Sequence, residues 1–594
     1  MGIVGHCQLK LIIFQSLHNN SFVRTFANTL IFQFSISKSQ PKPHTPFQIM
    51  PWGKKKSIDD FITRLSQNDP ILTSLCVLTS TRAVNAASCT QLSTALRTNT
   101  ILTELLLSGH TIGSEGAAAM TDALSGTNGN KTLQTLCIGS QQFSDGGVQA
   151  LASKLGEWNA LRELDLELKN IGPKGASDLG QGMFTNTSLE TLNLSRNPLT
   201  DEGIVNLLKQ TYGGATLTNP QCKLNELQLC ETGCSVQSMQ LLSNVCNHNS
   251  LVTLKLDRNI EIGTSAISSD VLSQFISTTS HIQNLSLANC ALGDLGVFKL
   301  CQGLSTNISL QNLNLSKNGI TVNGIRSLSM SFLKSGAFNV HTLNLNGNVI
   351  GAEGACLLAE ALSSTNNNKS ETSGNSDNSD NSDNSKEHAT SGSDGIQQQR
   401  QQTIRVLNMQ SCKIGVKGAA AIGNLLNQLM ELNVMDCNLG DDGVIALASN
   451  FTATTHFNLR KLNLCANDIT DVSGTFVCNQ ISHLFPTNVC DLIEIDPITG
   501  TEKLSIQIHF VLGLGANTGL GMETTAAVEE LLNGRRGFQV ALDKADDGSG
   551  GIGNNLGGDG TNVDYGINGN KEGEAKFDDM LKKMSGNAKK DLGL

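Results

Sequence analysis

The stretch Leu310-Gln-Asn-Leu313-Asn-Leu315-Ser-Lys-Asn318 decides the fold, because the rest of the chain repeats its pattern. Leucines stand at positions 1, 4 and 6 of this pattern, and asparagine stands at position 9. The register recurs mostly every 25–35 residues, which indicates a repeat array rather than one globular core. Twelve copies open at Leu102, Leu133, Leu161, Leu189, Leu224, Leu251, Ile282, Leu310, Val340, Ile404, Leu429 and Leu459.

Position 9 is a small polar residue or cysteine in most copies. Eight of the twelve copies carry Asn or Cys there, namely Asn197, Asn259, Cys290, Asn318, Asn348, Cys412, Cys437 and Asn467. We expect this side chain to bond backbone groups that are left open where the chain turns off a short strand. Behind a glycine-containing turn, stretches such as residues 350–362 then place apolar residues at helical spacing. Each copy therefore predicts a strand followed by a helix.

The repeat length, the Asn/Cys position and the turn Ile350-Gly-Ala-Glu-Gly354-Ala resemble leucine-rich repeats of the ribonuclease-inhibitor-like subtype. Such repeats occur in ribonuclease inhibitor, in the sensor regions of nucleotide-binding immune (NLR) receptors and in Ran GTPase-activating proteins. The resemblance covers about residues 100–480. It implies an α/β fold, a right-handed β-α solenoid or horseshoe with about 12 clear repeats plus degenerate caps, and it leaves the function open.

The chain divides into five predicted segments. They are a basic disordered extension at 1–49, an N-terminal cap with a degenerate first repeat at 50–100, the repeats at 101–480, an irregular last repeat with a C-terminal cap at 481–540, and a disordered Gly/Asn-rich tail at 541–594. A capping box at Ser57–Asp60 is expected to start the first helix. At the other end, residues 504–510 alternate like a strand, and residues 524–532 read as a helix.

Two segments allow more than one interpretation. Residues 1–49 have the basic, acid-free composition of a transit peptide, but Met50 resembles a natural start, which favours an untranslated or inert extension. The polar insert 366–402 within the repeats should be disordered. Its Ser-Asp pairs at Ser376, Ser379 and Ser382 allow a regulated loop, whereas the plainer interpretation is a tolerated insertion.

The charge and composition argue against several classes of partner. Residues 1–56 hold seven lysines and arginines and no acidic residue, so the rest of the chain carries −17 instead of the −10 of the whole. A body of this charge repels nucleic acid. No apolar run reaches the roughly 18 residues of a membrane span, so no membrane insertion is expected. The irregular cysteine spacing predicts free thiols and a cytoplasmic protein, or a mitochondrial one if residues 1–49 are a transit peptide.

Motifs for catalysis or metal binding are not evident in the sequence. It contains no phosphate-binding loop of the form GxxxxGK[ST]. The densest thiol group, Cys222, Cys230, Cys234 and Cys246, has no common zinc-site spacing. We therefore predict a non-enzymatic protein with no metal and no cofactor.

Strand residues alternate between two faces, so positions 3, 5 and 7 should line the concave side of the horseshoe. In the early repeats these positions form an acidic cluster of Glu104, Glu163, Asp165, Glu167 and Glu226. Position 5 later forms an amide row of Asn193, Asn314, Asn344, Asn408, Asn433 and Asn463. The amide row is either a ligand-binding surface or, as the plainer interpretation, a consensus feature of the repeat. The acidic cluster predicts a protein partner with a basic segment, unless it is simply a solvated face.

The leading functional hypothesis is therefore a protein–protein interaction scaffold that binds its partner on the concave face. A first alternative, implied by the resemblance, is a Ran-type GTPase-activating protein with a small GTPase as partner. Against it, the segment from Ala541 has ten acidic and seven basic residues instead of a strongly acidic tail. No catalytic Asn or Arg of that family is assigned to a position in this sequence. A second alternative is a structural component of a larger assembly.

Overall fold

A computed structural model describes residues 57–214, 217–248, 250–264, 266–334, 339–367, 404–451, 458–485, 491–495, 502–507, 510–533, 538–542 and 554–557. All of these residues belong to one compact unit, Lys54–Val563. The second unit combines Met1–Gly53 with Asp564–Leu594 and lies outside the described residues. The predicted extension 1–49 lies there too. Nearly all of the insert 366–402 is also outside them, except that a helix continues to Asn367.

The described residues form eighteen strands. These are β1 Ser74–Cys76, β2 Glu104–Ser108, β3 Thr135–Gly139, β4 Glu163–Asp165, β5 Thr191–Asn193, β6 Glu226–Gln228, β7 Thr253–Lys255, β8 Asn284–Ser286, β9 Asn312–Asn314, β10 Thr342–Asn344, β11 Val406–Asn408, β12 Glu431–Asn433, β13 Lys461–Asn463, β14 Asp491–Ile495, β15 Glu502–Gln507, β16 Phe510–Gly513, β17 Phe538–Leu542 and β18 Asn554–Gly557. All except β14 and β15 join one sheet in chain order, and β18 alone in that sheet runs antiparallel.

Helices connect successive strands of the sheet. They are α1 Asp59–Ser66, α2 Ala86–Thr98, α3 Gly113–Leu124, α4 Ser144–Ala152, α5 Pro173–Phe184, α6 Thr200–Thr211, α7 Val236–His248, α8 Ala266–Thr278, α9 Gly293–Leu304, α10 Val322–Lys334, α11 Gly351–Asn367, α12 Gly415–Gly423, α13 Gly440–Ala448, α14 Asp471–Leu484 and α15 Met522–Leu532. This alternation is an α/β leucine-rich-repeat solenoid, as the sequence predicted.

The leucines at position 4 keep the strands in register. Leu313 on β9 lies opposite Leu285 on β8 and Leu343 on β10, and the same column runs from Leu75 on β1 to Leu512 on β16. These side chains are almost completely buried. A slip of one residue would turn the whole column to the opposite face, so the repeated leucines fix the register.

Position 9 joins each repeat to the one before it. Asn318 accepts hydrogen bonds at Oδ1 from the backbone N–H groups of Cys290 and Leu292, at 2.9 and 3.3 Å. Its Nδ2 donates to the carbonyl oxygens of Leu287 and Ser316, at 2.8 and 3.2 Å. Where cysteine replaces asparagine, its thiol donates to the same preceding carbonyl, as Cys412 does to Leu345 at 3.2 Å. The predicted role of position 9 is therefore confirmed.

The twelve predicted copies correspond to β2–β13, and the degenerate first repeat supplies β1. The first helix is present, but the predicted capping box is wrong. The helix begins at Asp59, whose N–H contacts the Ser57 hydroxyl at 3.3 Å. Asp60 does not reach back to the cap, because its carboxylate pairs with Arg82 at 2.5 Å.

The C-terminal region agrees with the prediction in part. Residues 504–510 were expected to be a strand and residues 524–532 a helix, together an irregular last repeat and cap. The helix is α15, but the strand β15 pairs antiparallel with β14 in a separate two-stranded sheet. The strand that joins the main sheet is β16, because Leu512 and Leu514 supply its buried positions 4 and 6 and Asn517 supplies position 9. The tail expected to be disordered from residue 541 contributes the end of β17 and all of β18.

Candidate functional site

The main sheet has a face packed against the helices and an opposite face, which we call the open face. Positions 4 and 6 of each repeat are buried beneath the helices. Positions 3, 5 and 7 point the other way, and most of them are partly exposed. The open face is therefore the surface that the sequence predicted to be concave and available to a partner.

All five predicted carboxylates lie on or directly beside the strands of the open face, but they are not equally accessible. Glu104 on β2 is only 6% exposed, and its Oε2 accepts a hydrogen bond from the Ser74 hydroxyl at 2.6 Å. Glu163 on β4 is partly exposed, and the Thr135 hydroxyl donates to its Oε2 at 3.4 Å. Glu104 is therefore the member of the predicted acidic cluster that is buried against Ser74 and the neighbouring strand.

Cations that the sequence analysis did not consider pair with several of these carboxylates. Lys255 on β7 lies 2.8 Å from the Glu226 carboxylate. The Arg196 guanidinium lies between Glu167 and Glu231, at 3.8 and 3.7 Å. The surface is therefore a mixed ionic network rather than a uniformly acidic cluster. Lys255 stands at position 5, so inspection of the predicted concave positions for basic residues would have found it, whereas Arg196 stands at position 8 and lies outside them.

A buried lysine supports the centre of this network. Lys169 occupies position 9 of its repeat, is 2% exposed, and donates from Nζ to the Ser108 hydroxyl at 3.0 Å and the Glu167 carbonyl at 2.7 Å. Burial raises the pKa of the Asp165 carboxyl, although the Glu167 N–H, which donates to it at 2.8 Å, and the Lys169 charge oppose that rise. The side chain of Lys169 thus spans from β4 to β2 across Cys137, which is buried on β3.

We define the ionic part as positions 3, 5, 7 and 8 of the repeats at β2–β7 together with Lys169. It contains seven carboxylates and four cations, so its formal charge is −3. The carboxylates are Glu104, Glu163, Asp165, Glu167, Glu226, Glu231 and Asp257, and the cations are Lys169, Arg196, Lys255 and Arg258. Most of its ion pairs are partly exposed, so water and salt weaken them. The carboxylates of the ionic part are therefore held by weak ion pairs.

The six asparagines of the predicted amide row share one hydrogen bond. In each, Oδ1 accepts the backbone N–H two residues later, at 3.0–3.1 Å. Asp165 makes the same bond to the N–H of Glu167. The row therefore has a structural role in each repeat, which supports the plainer interpretation for the carbonyl end of the amide. The Nδ2 end is not used in this bond.

Positions 3, 5, 7 and 8 of the repeats at β8–β11 form what we call the amide part of the open face. These sixteen positions include no carboxylate and one cation, Lys317. On β9, the Nδ2 of Asn314 donates to the Ser286 hydroxyl at 2.9 Å. On β10 and β11, the Nδ2 groups of Asn344 and Asn408 contact no acceptor within the described residues, and both side chains are partly exposed. Between β7 and β8 the open face thus changes from a dense ionic network to amide and hydroxyl groups with a single cation.

The described cysteines are free thiols. Burial raises the pKa of the Cys478 thiol to about 12 and that of Cys301 to about 11, so these thiols stay protonated and poorly reactive. Within the described residues, no three His, Cys, Asp or Glu side chains meet in an arrangement suited to a metal ion. Among the described helices, none combines the length and apolar character needed to cross a bilayer.

Comparison with known proteins supports the repeat architecture. A family model described as "Leucine Rich repeat" matches seven segments, residues 98–120, 185–208, 279–301, 306–329, 337–359, 400–423 and 427–448. Ribonuclease inhibitor from Sus scrofa is 27% identical over 365 residues, which are 57% of this chain and 77% of that protein.

Two further relatives are much longer proteins. "NACHT, LRR and PYD domains-containing protein 14" of Mus musculus is 28% identical over 41% of this chain and 27% of its own length. "NACHT, LRR and PYD domains-containing protein 5" of Mus musculus is 31% identical over 39% of this chain and 17% of its own length. The chain therefore spans about a quarter or less of these two relatives, and the similarity concerns the repeats.

Proposed function

Because the chain is a leucine-rich-repeat protein, we propose that it binds a protein partner on the open face of its sheet rather than catalysing a reaction. Proteins with such repeats generally mediate binding between proteins. The observation that carries the proposal is the ionic part, where Glu163, Asp165 and Glu167 follow one another on or just after β4 and face away from the core. Partner-binding groups on a rigid scaffold are held in place before the partner arrives.

A basic segment is the partner chemistry that this surface favours. The ionic part has a net charge of −3 within a chain of net charge −10, so it attracts cations over several ångströms and steers their approach. Arg196 and Lys255 hold the carboxylates in place, and a partner's lysines and arginines can replace or join these two cations. The relative named ribonuclease inhibitor acts, by its name, on another protein. We propose the same class of partner here, with an interface of about 800 Å² on each side.

The proposal is tested by neutralising the ionic part without disturbing the fold. We choose Glu163→Gln, Asp165→Asn and Glu167→Gln, because asparagine already makes the position-5 hydrogen bond in six other repeats. Partners are captured on immobilised full-length protein and identified, and the affinity of the strongest basic partner is then measured for the triple variant. A loss of at least about tenfold is expected, which corresponds to about 1.4 kcal/mol.

The matched control removes three carboxylates from the helix side of the same chain. Glu115→Gln, Glu202→Gln and Asp442→Asn change exposed residues in the first turns of α3, α6 and α13, and they alter the net charge equally. The control should bind the partner as the wild type does. Equal binding by all three proteins would contradict the placement of the partner on the ionic part.

Two other functions are separated by direct assays. Phosphate release from GTP-loaded Ran, with and without the protein, tests GTPase activation, and acceleration would overturn the non-catalytic proposal. Co-purification of the chain as a fixed component of a large complex would favour a structural role instead.

We also propose that the protein acts in the cytoplasm, where thiols stay reduced, and the buried free cysteines support this. Imaging of tagged chains that begin at Met1 and at Met50 tests that proposal, and mitochondrial import of the longer chain would contradict it.

A further inference from the structure

We propose that the amide part of the open face, at β8–β11, binds an extended acidic peptide segment of a protein partner. This inference rests on the proposed function, since it concerns the same open face. It adds a second partner chemistry to a different set of strands. The ionic part is suited to cations, whereas the amide part is suited to carboxylates and other hydrogen-bond acceptors.

The backbone orients the amide groups of Asn344 and Asn408. The Oδ1 of Asn344 accepts the N–H of Asn346 at 3.0 Å, and the Oδ1 of Asn408 accepts the N–H of Gln410 at 3.1 Å. Because the strand backbone holds the carbonyl end, the NH₂ end of each amide points away from that bond. Neither Nδ2 contacts an acceptor in the described part of the chain. Two partly exposed donor groups therefore remain on neighbouring strands, which lie about 4.8 Å apart.

These positions carry no carboxylate. No aspartate or glutamate stands at positions 3, 5, 7 or 8 of the four repeats, in a chain whose net charge is −10. The one charged residue at these positions is Lys317, which is exposed at position 8, and the exposed Arg405 immediately precedes β11. The bordering carboxylates are Glu431, opposite Val406, and Asp436, which accepts a hydrogen bond from Ser411 at 2.8 Å. An acidic segment thus meets donors and cations at the centre of this surface, whereas the carboxylates of the ionic part would repel it.

The strands on either side of β10 and β11 already use their amide donors. The Asn314 amide already donates to Ser286, and Ser286 donates to the Asp257 carboxylate on the ionic side. Hydrogen bonds within the protein therefore occupy the donors near β8 and β9. On β12, the Nδ2 of Asn433 contacts the Gln410 side-chain oxygen at 3.4 Å. Asn344 and Asn408 keep their donors available between these neighbours, so β10 and β11 form the centre of the proposed surface.

The decisive variant replaces the outward donors with acceptors and keeps the inward hydrogen bonds. In Asn344→Asp with Asn408→Asp, one carboxylate oxygen can still accept the N–H two residues later, as Asp165 does naturally. The other oxygen replaces the NH₂ group and repels an acidic ligand. Lys317→Gln is a second, independent variant on the rim of the same surface. The matched control, Gln302→Glu with Asn323→Asp, adds the same charge at exposed positions on α9 and α10.

The probes are fluorescently labelled decapeptides of alternating Asp and Ser, alternating Asn and Ser, and alternating Lys and Ser. Their binding to the full-length protein is followed by fluorescence anisotropy at low salt. We expect the Asp-Ser peptide to bind the wild type at least about tenfold more tightly than the Asn-Ser peptide. The double aspartate variant should bind the Asp-Ser peptide at least about tenfold more weakly than the wild type does, and Lys317→Gln should bind it several-fold more weakly. The helix-side control should stay near the wild type.

Each alternative outcome has a definite meaning. Equal binding of the Asp-Ser and Asn-Ser peptides would overturn the inference, as would a double variant that binds like the wild type or a control that loses as much. The Lys-Ser peptide separates this inference from the proposed function. Its binding should fall in the triple variant of Glu163, Asp165 and Glu167 and persist in the double aspartate variant. A loss of Asp-Ser binding without a loss of Lys-Ser binding would therefore leave the proposed function of the ionic part intact.

Discussion

Asparagine occupies two rows of the same repeats, at position 9 and at position 5, and the two rows have different structural roles. At position 9, Asn318 is 2% exposed and uses both ends of its amide, with bonds that reach the preceding repeat. At position 5, Asn408 is partly exposed and uses only its carbonyl, within its own repeat. The same side chain thus holds repeats together at Asn318, whereas at Asn408 it only closes the end of a strand. Burial, rather than residue type, decides which amides remain available to a partner.

The largest expected effect comes from breaking the position-9 row. Asn318→Ala removes the partner of two backbone N–H groups and of two carbonyl groups in a buried site, and an unsatisfied buried group costs about 1–3 kcal/mol. We expect the free energy of unfolding to fall by about 3 kcal/mol, as measured by denaturant titration. Asn318→Cys should lose less, because cysteine at position 9 donates to the equivalent carbonyl in other repeats.

The control for this prediction is Asn323→Ala, which truncates an exposed amide on α10 of the same repeat. It should change the stability by less than about 0.5 kcal/mol. If Asn318→Ala were equally mild, position 9 would not join the repeats as the hydrogen bonds indicate.

A smaller effect is expected at position 5. Asn408→Ala removes one side-chain hydrogen bond to the backbone, at a site where water can replace it. We expect a loss of about 1 kcal/mol in the same titration, and a smaller loss for Asn408→Asp, which keeps the acceptor. A loss as large as that of Asn318→Ala would remove the distinction between the two rows.

The sequence was sufficient for features that recur from repeat to repeat. The leucines at positions 1, 4 and 6 predicted the twelve strands and their faces, and position 9 predicted its own hydrogen bonds. Contacts between side chains that occur at one place in the array were not predictable in this way. Lys169 reaches Ser108, which lies 61 residues earlier, and Arg196 meets Glu231 only because β5 and β6 lie side by side. The acidic interpretation of the early strands was incomplete for this reason, since the paired cations become visible only after the strands are aligned.

The smallest effect on stability is expected at Asp165, the aspartate that occupies position 5 of its repeat. Because burial raises the pKa of the Asp165 carboxyl, this carboxyl binds a proton more tightly in the folded protein than in the unfolded chain. Ionisation at neutral pH therefore opposes folding, and this penalty disappears as the pH falls below the usual aspartate range near about 4. Asp165→Asn keeps an acceptor for the Glu167 N–H, and Lys169 keeps its bonds to Ser108 and the Glu167 carbonyl. The variant should be slightly more stable than the wild type at pH 7, and the difference should shrink in acid.

The midpoints of denaturant unfolding at pH 7 and below the usual aspartate range measure this difference in stability. The exposed Asp442→Asn variant is the control. A variant that is less stable at pH 7 would show that the charge of Asp165 stabilises the network around Lys169, and the two rows would then differ by charge as well as by burial.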